Sequence, residues 1–142
     1  GLRAEMLQDL HEYWGGMIRA GASTFWERYD AAAGEANLAM YKRPFGTSLC
    51  HAWSSGPIFL LSRDLFGLEP IAPGWSRFTI RPQALSVSPV TAEIPTPYGS
   101  ICVSQNRDAL AVDIPQGATL EYAGRAASGP TRVVIEPNGS RE

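Results

Sequence analysis

The sequence predicts an α+β chain, with α-helices in the first half and an antiparallel β-sandwich in the second. Three observations predict it. Apolar residues from Leu2 to Ile18 recur at helical spacing, the period falls to two from Trp75 onward, and Pro73-Gly74 separates the two regimes. Residues 1–73 are therefore expected to form one domain and residues 74–142 another. An apolar share of 44% and a charged share of 18% over 142 residues suit a globular chain.

The first element is a helix. Leu2, Met6, Leu7, Leu10, Tyr13, Trp14, Met17 and Ile18 fall on one face, with Arg3, Glu5, Asp9, Glu12 and Arg19 on the other. Gly15-Gly16 interrupts it, each glycine costing about 1 kcal/mol against alanine in a helix interior. Such glycines either admit a close neighbour or weaken the helix near its end. Gly21 suits the left-handed position just past that end. The apolar face needs a partner.

Next comes Gly21-Ala22-Ser23-Thr24-Phe25-Trp26-Glu27-Arg28-Tyr29-Asp30, which places a carboxylate directly after two aromatic rings. A ring face stacks on the C–H face of a pyranose, and a carboxylate activates a water or holds hydroxyls. The same residues also read as two core anchors followed by a surface glutamate paired with a cation. Residues 37–47 carry no apolar period and include Lys42-Arg43, Pro44 and Gly46, as a loop does.

Ser48-Leu49-Cys50-His51-Ala52-Trp53-Ser54-Ser55-Gly56-Pro57 leads into a second helix. Ser54 or Ser55 is placed to cap it and Pro57 is tolerated in its first turn. Ile58, Phe59, Leu60, Leu61, Leu65 and Phe66 are apolar on most sides, so this helix is expected to be buried, ending at Gly67. His51 is either a site histidine or a satisfied packing residue, and Trp53 either a second sugar-facing ring or a core ring.

After Pro73-Gly74 the strands follow: 77–81 up to Pro82, 90–94 closed by Pro95, then the turn Thr96-Pro97-Tyr98-Gly99 into Ile101 and Val103. Asn106-Arg107-Asp108 reverses the chain into Leu110, Val112 and Ile114, Gln116-Gly117 turns it into Leu120 and Tyr122, and Val133-Val134-Ile135 closes the set. Short strands at this spacing argue a sandwich.

Net charge is −2 with no Lys/Arg run, which argues against nucleic acid or anionic membrane as partners. No apolar run approaches the ~20 residues of a membrane span, and no secretory signal opens the chain. Cys50 and Cys102 are too few for a disulfide framework and lack metal-ligand spacing, so no metal or cofactor is implied. Asn138-Gly139-Ser140 formally fits a glycosylation acceptor.

Taken together these motifs resemble the C-terminal end of bacterial α-L-rhamnosidases, inverting glycoside hydrolases with a six-hairpin (α/α) barrel. The likeness is carried by 21–28, 48–57, Phe66-Gly67-Leu68-Glu69-Pro70 with Pro73-Gly74, Ile80-Arg81-Pro82 and Pro95-Thr96-Pro97-Tyr98-Gly99, in family order across nearly the whole chain. The resemblance implies that residues 1–73 are the last helices of the barrel and residues 74–142 the C-terminal β-sandwich. It implies that Glu27 is the general base, that Trp26 helps line the sugar pocket, that His51 stands near the sugar hydroxyls, and that Trp53 is part of the same wall. The chain departs from the family at Cys50, where members often have Asn.

Inversion needs two carboxyl groups roughly 6.5–9.5 Å apart, one protonating the leaving oxygen and one activating water. The family's acid lies upstream in an Asp/Glu-rich motif that nothing here matches, and no feature selects Asp30, Glu35 or Asp64 in its place. The chain is thus expected to hold half of a catalytic pair for terminal α-L-rhamnosides and to be inactive alone. Its start at Gly1, inside a helical pattern, leads to the expectation of a fragment completed by the missing barrel segment or a second copy. The alternative is a non-catalytic carbohydrate-binding or structural module derived from such an enzyme.

Overall fold

The structure is a computed structural model that describes residues 2–81 and 89–136. Pro82 and the Asn138-Gly139-Ser140 acceptor lie outside the described residues. The chain divides into two compact units, residues 1–59 and 60–142.

In the first unit the expected helix forms as α1 (Leu2–Asp9), a π-helical turn (Leu10–Trp14) and α2 (Gly15–Arg19). The glycine pair has a packing cause. Gly16 is buried, and a Cβ there would run into the Tyr29 ring. The tyrosine backbone is fastened as well, since Tyr29 N–H donates to the Tyr13 hydroxyl at 3.0 Å. Gly21, at φ 94°, takes the left-handed position past the helix, as expected.

Residues 30–47 form a loop with one 3₁₀ turn, Gly34–Leu38. A second, Ala52–Ser54, precedes α3 (Gly56–Leu60), in which Pro57 sits in the first turn. The Ser55 hydroxyl donates back to the Ala52 carbonyl at 2.6 Å, so it serves the preceding turn. The helix continues as a π-turn, Leu61–Leu65. The expectation that it is buried all round is corrected here: Ile58, Phe59 and Leu61 are exposed, and only Leu65 and Phe66 at its end join the core.

The second unit holds two four-stranded sheets. One has the order β1 (Glu69–Pro70), β2 (Arg77–Thr79), β6 (Thr119–Tyr122), β7 (Arg125–Ser128). The other has the order β3 (Val90–Thr96), β4 (Gly99–Gln105), β5 (Leu110–Ile114), β8 (Thr131–Ile135). Pairing is antiparallel throughout except β2–β6, which is parallel. The α+β class with a sandwich-like part therefore stands.

The core lies between alternating strand residues of both sheets: Phe78 and Leu120 from one, and Ile101, Val103, Leu110 and Val112 from the other, all fully buried with Phe66 and Leu68. Proline does not close β3. The strand runs on through Pro95, opposite Ser100, because β3 is the edge of its sheet and an edge tolerates a missing N–H. The Thr96–Gly99 turn forms as expected, the Thr96 hydroxyl donating to the Gly99 carbonyl at 2.6 Å. The Asn106 reversal also forms, its Oδ1 accepting from the N–H groups of Asp108 and Ala109.

Gln116-Gly117 does not open a hairpin. It carries the chain from one sheet to the other, where β6 docks beside β2 with Thr119 N–H on the Ser76 carbonyl at 2.9 Å. The sequence reading gave no strand at β7, which pairs with β6 across the turn Ala123-Gly124, both at positive φ.

Candidate functional site

The aromatic–carboxylate stretch and the His51 stretch lie side by side in the first unit. Glu27 N–H donates to the Ser48 carbonyl at 2.8 Å, and His51 N–H donates to the Phe25 carbonyl at 2.7 Å. The Thr24 hydroxyl adds a bond to the Leu49 carbonyl. This backbone pairing brings residues more than twenty positions apart into one place, without forming a named strand.

The carboxylate is then fixed. Ser48 N–H donates to Glu27 Oε2 at 3.0 Å, so Glu27 and Ser48 bond twice. Among the described residues no protein donor takes Oε1. Trp53 Nε1 donates to the Glu27 carbonyl at 3.1 Å, which draws the indole over the backbone that carries the carboxylate. The His51 and Trp53 rings meet at 4.1 Å between centroids, tilted by 42°.

Glu27, His51 and Trp53 are therefore brought together. Trp53 is 71% exposed and offers its ring to solvent, whereas Trp26 is only 7% exposed. Trp26 packs into the unit, as an apolar residue beside a strand-like pairing does, and has little surface left for a ligand. Two clefts of about 420 Å³ open on this unit, lined in one case by Asp9, Glu12, Tyr13, Trp14 and Tyr29, in the other by Trp14, Met17, Ile18 and Phe25. Glu27, His51 and Trp53 line neither.

Chemically, the arrangement offers one oriented carboxylate with a free oxygen, beside the exposed Trp53 ring and the half-buried His51. It suits accepting a proton from a bound water, or holding a hydroxyl while a ring stacks on a sugar face. Sequence reasoning missed Ser48, which acts through its backbone N–H and so leaves no side-chain signal. Among the described residues no group of three or more His, Cys, Asp or Glu is placed to hold a metal ion, and no helix is long and apolar enough to cross a membrane.

The architecture is thus a helical unit bearing an oriented carboxylate, followed by a sandwich-like unit of two antiparallel-rich sheets. Residues 67–123 match the family model described as "Bacterial alpha-L-rhamnosidase C-terminal domain". The solved structure of Streptomyces avermitilis alpha-L-rhamnosidase complexed with L-rhamnose is similar in fold, with a TM-score of 0.55 and 23% identity. That likeness covers 75% of this chain and 11% of the other, so the chain spans a small part of the enzyme it resembles. No curated protein matches the chain.

Proposed function

We propose that this chain is the C-terminal part of an α-L-rhamnosidase-like glycoside hydrolase and supplies the general base for inverting hydrolysis of terminal α-L-rhamnosides. Residues 1–73 are the last helices of a six-hairpin barrel and residues 74–142 the C-terminal β-sandwich. Glu27 is the base, His51 and Trp53 face the sugar, and buried Trp26 backs the pocket wall. The general acid comes from outside the chain, from an upstream barrel segment or a second copy, and the chain alone is inactive. The single observation that carries this reading is the Glu27 carboxylate, held by Ser48 N–H through one oxygen beside half-buried His51 and the exposed Trp53 ring.

A second reading has its own support. The family match covers residues 67–123 and so lies on the sheets, not on the Glu27 unit. On that reading the chain is a non-catalytic carbohydrate-binding or structural module. Titration of the chain with L-rhamnose, followed at the Trp53 indole and Ser48 amide signals by NMR, tests the pocket that both sugar-binding readings share. Shifts at those two signals, with Val134 unmoved, are expected. Unmoved Trp53 and Ser48 signals at saturating sugar, both in the chain alone and in the chain joined to an upstream barrel segment, would leave only the structural module.

A further inference from the structure

The loop between Glu27 and Ser48 is closed by a buried amide. Asn37 is 3% exposed. Its Oδ1 accepts from Asp30 N–H at 2.7 Å, while its Nδ2 donates to the Asp30 carbonyl at 2.8 Å and the Gly34 carbonyl at 3.1 Å. Its backbone carbonyl accepts the Thr47 hydroxyl at 2.7 Å, and the neighbouring Leu38 carbonyl takes Thr47 N–H at 3.1 Å. Thr47 is also buried. The return to Thr47 passes Gly46, where a Cβ would collide with the Met40 carbonyl.

The positions of these bonds matter. Asp30 follows Glu27 by three residues, and Thr47 directly precedes Ser48. One buried residue therefore grips the chain on both flanks of the Glu27–Ser48 contact. A glutamate side chain has three rotatable bonds, and a general base works only within hydrogen-bond reach of the proton it takes. Whatever fixes Ser48 N–H fixes Oε2, and with it the direction in which Oε1 is presented.

We propose that Asn37 and Thr47 are positioning residues for Glu27, holding Ser48 N–H on Oε2 so that Oε1 faces the reacting water. This rests on Glu27 being the general base. Neither residue touches substrate.

The test uses the chain joined to an upstream α-L-rhamnosidase barrel segment, assayed on an aryl α-L-rhamnoside. Thr47→Val keeps the shape and removes the hydroxyl, Thr47→Ser keeps the hydroxyl, and Asn37→Asp keeps the acceptor for Asp30 N–H while removing both donors. Amide exchange of Ser48 reports the clamp, and that of the helix at residues 4–19 reports the fold. In Thr47→Val and Asn37→Asp, Ser48 exchange is expected to rise about fivefold or more. Turnover is expected to fall on the order of 10- to 100-fold with KM nearly constant and helix exchange unchanged. Thr47→Ser is expected to retain wild-type kcat.

Wild-type kcat in Thr47→Val or Asn37→Asp overturns the proposal, as does a loss in Thr47→Ser equal to that in Thr47→Val. Loss of helix protection alongside kcat also overturns it, since the residues would then hold the fold and not the carboxylate. Glu27→Gln tells the two levels apart: full turnover in that variant removes the general-base reading itself.

Discussion

Gly67→Ala tests how tightly the second unit is built where the family match begins. Gly67 has φ 67°, and a Cβ there would lie 2.9 Å from both the carbonyl carbon and the Cβ of Arg81 and would collide with the Arg81 carbonyl oxygen. Arg81 cannot withdraw freely, because its N–H donates to the Gly67 carbonyl at 3.0 Å. Two penalties follow. Holding a non-glycine residue in the left-handed region costs roughly 1–2 kcal/mol. Forcing packed main chain apart costs a further 1–3 kcal/mol or so.

Gly124 separates these two terms. It has φ 73° and open space around the added methyl, so Gly124→Ala bears only the first. Opening free energies of β4 and β5, measured by amide exchange under native conditions, are the assay. Gly67→Ala is expected to lose roughly 2–5 kcal/mol and Gly124→Ala about 1–2 kcal/mol. Equal losses in the two variants would refute the steric argument.

Other outcomes follow from the same structure. Phe78→Ala empties a fully buried site between the sheets and is expected to destabilise the second unit by about 3–5 kcal/mol, read from urea unfolding of strand signals. Gly16→Ala drives a methyl into the Tyr29 ring and is expected to cost about 1–3 kcal/mol, with loss of Tyr29 amide protection as the specific sign. Trp53→Phe keeps a ring but removes the donor to the Glu27 carbonyl, and is expected to weaken protection around Glu27 by about 0.5–1.5 kcal/mol. Val134→Thr, on an exposed face of the edge strand β8, is expected to change stability by less than about 0.5 kcal/mol.

Much of the fold was legible because local pattern and tertiary role agree. Ile101, Val103, Leu110 and Val112 fill the core at the alternation their spacing predicts, whereas of the apolar face expected on the first helix Met17 is buried and Ile18 is 70% exposed. What escaped was non-local or chemically quiet. The parallel β2–β6 pairing joins Arg77–Thr79 to Thr119–Glu121, and no local signal specifies such a partner. β7 reads Arg-Ala-Ala-Ser, with little strand preference, and its two-residue turn is Ala-Gly where Asn-Gly is the usual signal. The apolar run at Ile58–Phe59 promised burial, yet these side chains are exposed.

The candidate site divides the same way. Glu27, His51 and Trp53 stand out by residue type, and backbone pairing of 25–27 with 48–51 explains why they meet. Ser48 acts through an N–H that every non-proline residue owns, so its part is invisible in sequence. Asn37 reads as an ordinary turn residue, although it is the buried hub of the loop. Trp26 was open to two readings, a ring near the sugar or a core anchor, and its burial is the part that sequence alone left undecided.

The central claim is that Glu27 is the base of an inverting pair whose acid lies outside this chain. Its most direct test is hydrolysis of an aryl α-L-rhamnoside by the chain alone and by the chain joined to an upstream barrel segment, each beside Glu27→Gln. The account predicts no turnover alone, turnover when joined, and its loss in the variant. Turnover by the isolated chain, or full activity of joined Glu27→Gln, would contradict it.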